Sequence, residues 1–366
     1  MPEDAISGAE FSEPNGSDTA HKRKRKRRRR RRNKVYAALD LGTNNCRLLI
    51  ARPFEDSFRV IDSYSKVVRL GAGLQSTGRL SEESMSMAVD AIGTCARKMR
   101  NKNVKRWRCV ATQACRAADN CEEFLQRVKT ETGITLEIIS PRVEARLSVM
   151  GCINLIDPEK DVALVVDIGG GSTELSWVDI RSLRETGGLR RTFRPPISAW
   201  TSLPLGVVTL SELVPEHDDR TLWYEDMKDA VRNALKEKNS DNRFTNVFKA
   251  GKGHLIGTSG TITSLAGIYQ KLPYYQRDKV DGSWMPALDA VEICRRMGAL
   301  PYEERAKEPC IGDDRARLLV AGCAITDVLC EMWPSENIRV ADRGLREGIL
   351  MGLMQRTQKF AENGAA

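Results

Sequence analysis

The chain of 366 residues is poor in histidine: only His21, His217 and His254 occur, and His21 opens a run of basic residues. A Ser-His-Asp triad, a phosphohistidine enzyme or a multi-histidine metal centre would need almost all of them, so these chemistries are set aside. Long apolar runs are missing too. No stretch of ~18 uninterrupted apolar residues is present to span a bilayer, and residues 1–20 lack the apolar core of a secretory signal. The expectation is a cytoplasmic chain with no membrane partner. The ten cysteines never fall into a C-x-x-C pair, and most sit in apolar runs, which suits reduced, buried thiols. Zinc ribbons and disulfide scaffolds are thereby disfavoured. What is present, 41% hydrophobic and 29% charged residues, suffices for a substantial core divided over about two domains.

Charge is unevenly spread. Residues 1–34 hold 12 Lys/Arg, all from Lys22 to Lys34, against 5 acids, whereas the remaining residues hold 46 basic and 44 acidic side chains. Such an arm repels itself and has no apolar face to bury, so residues 1–34 are expected to be disordered when free. The run 22–34 could capture a polyanion by counterion release, or it could be a solvated terminus without a role.

From Val35 the pattern turns apolar. VYAALD reads as a buried strand, LGTNN as a tight turn and CRLLIARP as a second strand. FRVIDSYSKVVRL offers a third. Ser81 then caps a helix whose Met85, Val89, Ile92, Ala96 and Met99 recur at helical spacing. WRCVAT is a strand, a helix runs from about Glu122 to Gly133, TLEIIS is a strand, and Pro141 opens a helix through about Leu155. This alternation is that of an α/β domain.

The opening pattern returns at Val162 as VALVVD, IGGGST and ELSWVD, with Asp167 standing 127 positions after Asp40. Short strand–turn–strand matches also arise by chance. A true repeat means two domains, 35–155 and 156–366, facing each other with their Gly-rich turns in one cleft. Turns without Cβ atoms aim several N–H groups at one anion, so such a cleft suits a phosphate chain. LIGTSGTITSLAGI adds Thr258, Ser259, Gly260 and Thr261 at a helix start, where hydroxyls and amides bind phosphate or simply cap the helix.

Nine segments in series then converge: DLGTNNCRLLIAR, VRLGAGL, GRLSEE, VATQACRAADN, ISPRVEARL, VVDIGGGSTEL, SLPLGVVTLSE, LIGTSGTITSLAG and DRGLREG. In this order they resemble the Ppx/GppA phosphatases, the exopolyphosphatases and guanosine pentaphosphate phosphohydrolases. The resemblance spans about residues 35–353. It implies two duplicated actin-like domains around a central cleft, in the short form without further helical domains, with a C-terminal helix able to pack back on the first domain. Pro141 stands where the family usually has Gly, which the first turn of a helix tolerates.

The resemblance also implies a set of roles. Glu144 is the general base that activates water. Arg116 contacts the phosphate chain, with Asp40, Gly42, Thr43, Asn44 and Asn45 from the first turn. Gly169, Gly170, Gly171, Ser172 and Thr173 serve from the second, and Thr258, Ser259, Gly260 and Thr261 from the third. Asp167 and Glu174 are the metal-side carboxylates for Mg2+ or another divalent cation, and Asp40 holds water or a further metal contact. Asp342–Glu347 reads as a salt-bridged helix start outside the site. The expected reaction is hydrolysis of the terminal phosphoanhydride of polyphosphate. The sister activity, on the guanosine pentaphosphate of the stringent response, is the nearest alternative. An actin-like ATPase or kinase and a nucleic-acid-binding protein acting through the arm are the rivals from other classes. A homodimer is also implied by the resemblance.

Overall fold

In the computed structural model, which describes residues 34–55, 57–185, 195–239 and 244–363, the two apolar runs that open the halves become central strands of separate sheets. The first sheet comprises β1 (Tyr36–Leu41), β2 (Asn45–Phe54), β3 (Ser57–Val67), β4 (Arg106–Ala111) and β5 (Glu137–Ile138), in the order β3-β2-β1-β4-β5. The second comprises β6 (Val162–Ile168), β7 (Thr173–Asp179), β8 (Ile197–Leu203), β9 (Gly253–Thr258), β10 (Trp284–Pro286) and β11 (Asn337–Ala341), in the order β10-β11-β9-β6-β7-β8. Apart from the three-residue edge strand β10, the sheets are copies. Each has an antiparallel three-strand meander followed by two parallel strands, one laid against the first strand of the meander and the next against that one. The α/β fold of two duplicated halves is therefore the one observed.

Eight helices of eight or more residues cover these sheets among the described residues: α1 (Glu82–Asn101), α2 (Cys121–Thr132), α3 (Pro141–Cys152), α4 (Arg220–Glu237), α5 (Ser259–Tyr269), α6 (Ala287–Ala299), α7 (Asp313–Met332) and α8 (Leu345–Asn363). Ser81 caps α1 by accepting the Ser84 N–H at 3.2 Å, and Met85, Val89, Ile92, Ala96 and Met99 are all buried. The segment TLEIIS pairs over only two residues, because Ser140 already caps α3 and Pro141 begins it. That helix ends at Cys152, and one 3-10 turn, Ile153–Leu155, completes the expected span. The basic arm, apart from Lys34, lies outside the described residues.

The helix α8 returns to the first sheet, where Leu345, Ile349, Leu350 and Met354 pack on Tyr36, Ala38, Leu49, Ala51 and Val110. To get there it crosses α3 at glycines. A Cβ on Gly151 would lie 2.1 Å from the Gly344 carbonyl oxygen, and one on Gly348 would lie 2.0 Å from that of Leu147. No side chain fits between these backbones.

Candidate active site

Each opening hairpin ends in the same turn. The Gly42 N–H donates to Asn45 O at 2.9 Å, and 127 positions later the Gly169 N–H donates to Ser172 O at 2.9 Å. The carbonyls of both turns are also consumed: Thr43 and Asn44 accept from residues 68–71, while Gly169 and Gly170 accept from Val207 and Val208. Among the described residues, the amides of Thr43, Asn44, Gly170 and Gly171 have no acceptor. They line a cavity of about 180 Å³ between the sheets. Outward N–H groups of this kind form a cradle for anionic oxygens. The turns interlock. A Cβ on Gly170 would lie 3.0 Å from Thr43 Cβ, and one on Gly171 would lie 2.6 Å from Thr43 Oγ1 and 2.9 Å from Gln113 Cγ.

A third arm of the cavity comes from β9 and α5. Ser259 holds φ at +88°, which is strained for a residue with a Cβ, and its buried hydroxyl has no hydrogen-bond partner. Strain and an orphan donor thus coincide at one residue of the cavity wall. Thr258, Gly260 and Thr261 line the cavity beside it.

Carboxylates surround this space. Asp40 near the end of β1 and Asp167 near the end of β6 both line it. Burial lifts the Asp40 carboxyl to about 6 against the opposing charges of Arg47 and Arg346. Burial also raises Asp167, which accepts a hydrogen bond of 2.5 Å from Ser148. Glu144 sits in the first turn of α3, where the helix N-terminus favours a carboxylate. Burial and the charge of Glu174 push its carboxyl well above the usual range, although Arg116 pairs with it at 2.8 Å.

Three of the expected residues do not line the cavity. Thr173, fully buried as the first residue of β7, donates its hydroxyl to Leu205 O at 2.7 Å and so points away. Glu174 lies behind the lining, where it accepts from Ser172 at 2.7 Å and Ser202 at 3.0 Å, and burial holds it at about 7. Arg116 has its fork occupied: Nη1 donates to Glu144 and to Ile139 O, both at 2.8 Å, while Nε and Nη2 donate to Gln113 Oε1 at 3.2 and 2.9 Å. It touches the base rather than the cavity.

The cavity also takes residues that sequence reasoning left out: Arg47, Gln113, Arg315 and the whole of Asp342–Glu347. Arg47 is the cross-strand partner of Asp40, and among the described residues neither it nor Arg346 makes an ion pair within 4 Å. The segment Asp342–Glu347 is fastened from below. Arg277 bridges Asp342 and Glu347, Arg343 pairs with Asp281, and the Gly344 N–H donates to Glu347 at 2.9 Å. Its charges are thus the mooring of a loop at the cleft, and the G-x-x-E spacing of Gly344 and Glu347 was the legible sign.

Comparison with known proteins bears on the family and the fold. A solved structure of the Aquifex aeolicus Ppx/GppA family member shares 28% identity over 88% of this chain and 98% of that chain, with a TM-score of 0.70. An exopolyphosphatase from Cytophaga hutchinsonii matches in fold at 23% identity, over 88% of this chain and 98% of that one, with a TM-score of 0.74. The model of the Ppx/GppA phosphatase family matches residues 49–357, from the second strand of the first hairpin through most of α8. That span takes in the cavity residues from Thr112 onward, with the first turn and Arg47 lying just before it, and the chain belongs to the Ppx/GppA phosphatase family.

Proposed function

We propose that this chain is a cytoplasmic exopolyphosphatase that releases orthophosphate from the end of inorganic polyphosphate. One observation carries the reading: the Glu144 carboxylate borders a cavity that also presents unpartnered backbone amides and the side chains of Arg47 and Arg346. Amides suit phosphate oxygens, and a base of raised affinity for protons suits water activation near neutral pH. In the proposed step Glu144 takes a proton from water as its oxygen bonds to the terminal phosphorus. The bridging P–O bond breaks, and the shortened chain leaves with the electron pair. Arg47 and Arg346 offset the charge that grows on the oxygens.

A divalent cation fits the remaining donors. Among the described residues no three His, Cys, Asp or Glu form a closed cage. Mg2+ needs only one or two carboxylates plus waters and phosphate oxygens. Asp167 and Glu174 each keep one oxygen outside protein hydrogen bonds and would hold it. Once bound, the ion would neutralise phosphate charge. The basic run 22–34 would raise the local concentration of long chains at low salt.

The test is phosphate release from long-chain polyphosphate, guanosine pentaphosphate and ATP, measured side by side with Mg2+. Polyphosphate is expected to be turned over fastest. Release from guanosine pentaphosphate alone would transfer the reading to the sister activity, and release from ATP alone would overturn it.

A further inference from the structure

Gln113 stands at the junction of the two halves. It opens the short helix Gln113–Ala117, lines the cavity, and packs against the turn of the opposite half at Gly171. Its side-chain oxygen accepts two hydrogen bonds from Arg116, through Nε at 3.2 Å and Nη2 at 2.9 Å. Arginine has only donors, so the amide atom facing it must be oxygen, and the NH2 group lies on the other side. Among the described residues that NH2 group has no acceptor, and it is not sealed from solvent. The guanidinium is therefore held at two corners by Gln113, and its third corner, Nη1, is the one that reaches Glu144.

We propose that Gln113 is a positioning residue with two faces. Its carbonyl oxygen fixes the orientation in which Arg116 pins Glu144, and its NH2 group donates to a phosphate oxygen of the bound chain. The proposal rests on the phosphohydrolase reading above. It assigns Arg116 to the base and gives the phosphate contact on this wall to Gln113. Seating against Gly171 ties that contact to the amide cradle of the other half, so one side chain links substrate position to base position.

Two substitutions separate the faces. Gln113→Glu keeps an acceptor for Arg116 but replaces the NH2 donor by a charge that repels phosphate. Its KM for tripolyphosphate should rise about tenfold or more while kcat stays within about threefold of wild type. Gln113→Met removes both the acceptor and the NH2 donor without adding charge, so Arg116 is no longer held and one neutral contact to phosphate is lost. Here kcat should fall about tenfold, with KM rising by less than about threefold, well short of the Gln113→Glu increase because no repulsive charge is added. A purely structural role would lower activity alike in both, and that outcome, or wild-type constants in both, overturns the proposal. Calorimetric binding of tripolyphosphate to the three proteins needs no turnover and keeps the two questions apart. If wild type releases no phosphate, the functional reading fails. The inference then stands only if Gln113→Glu binds at least about tenfold more weakly than Gln113→Met, and equal binding sinks it.

Discussion

The hairpins β1–β2 and β6–β7 are one design used twice, and they differ most where they face the cleft. In the first, the cross-strand partner of Asp40 is Arg47; in the second, the partner of Asp167 is Glu174. Turn, register and hydrogen bonds repeat at a spacing of 127 residues, yet one copy presents a mixed pair and the other two acids. The backbone was thus free to stay constant while charge diverged. The first half offers a cation for phosphate, and the second concentrates negative charge that favours a metal ion. A second contrast lies in the turns. Thr43 and Asn44 occupy the positions of Gly170 and Gly171, and the glycines are what let the side chains of the first turn come across.

The largest effect is expected at the residue that neither hairpin supplies. Glu144→Gln keeps shape and hydrogen bonding but cannot take a proton, so kcat should fall by roughly 10²- to 10⁴-fold with KM little changed. Steady-state phosphate release measures it, and near-normal turnover would remove Glu144 from the mechanism.

Next come the charge pairs. Arg47→Glu gives the first hairpin the acidic pair of the second, and substrate affinity should drop about 100-fold or more because an attraction becomes a repulsion. Glu174→Gln makes the reverse change milder, and the Mg2+ concentration needed for half-maximal rate should rise about tenfold. Equal responses of substrate and Mg2+ dependence in both variants would erase the division of labour between the halves.

The turns differ in a way that calorimetry can read. Gly171→Ala drives a methyl group into Thr43 Oγ1 and Gln113 Cγ and should cost about 1–3 kcal/mol of stability. Asn44→Gly at the corresponding position fills no such space and should cost about 1 kcal/mol or less. Comparable losses would mean that the interlock is not tight.

The smallest effect concerns pH. Folding raises Asp40 from 3.8 to about 6 and Glu174 from 4.5 to about 7, so the folded chain keeps protons that the unfolded chain has released. Stability contributed by these groups is therefore greatest below about pH 4 and is lost as pH rises through about 7. Mg2+ should then raise the melting temperature by a few degrees more at pH 8 than at pH 5, since it meets ionised carboxylates only at the higher pH. An equal rise at both values would place the ion away from these residues.

Much of this was readable in the linear chain. The repeat of Asp40 and Asp167, the Ser81 cap and the Gly-rich turns follow from local rules of periodicity and turn chemistry, which act within a few residues. Glu144 was readable through its motif and its place in a first helical turn. What escaped depends on distant chain. Asp342–Glu347 borders the cleft only because Arg277 and Asp281 moor it there. Arg116 was expected on phosphate, and the local motif gave no sign that Gln113, Ile139 O and Glu144, three, 23 and 28 positions away, hold its fork. Thr173 was counted with its turn, although strand alternation aims its hydroxyl at Leu205 O.

The glycine crossing of α3 and α8 sets the mechanics of the molecule. The chain enters the second half just after α3 and leaves it just before α8, so both covalent links run past one backbone-to-backbone contact. Such a contact is a fulcrum: it has no side chains to shear, and it resists compression more than rotation. Across the cleft the halves meet again through an exposed hydrogen bond of 3.0 Å from the Gly73 N–H to Glu212. Rotation would strain that exposed latch before it disturbed the buried pivot. Because Glu144 is on α3 and Arg346 is on α8, the pivot carries the base and a phosphate-side cation with it. Both stand within about two helical turns of the crossing, so a swing about it would displace them less than the rest of the cleft wall.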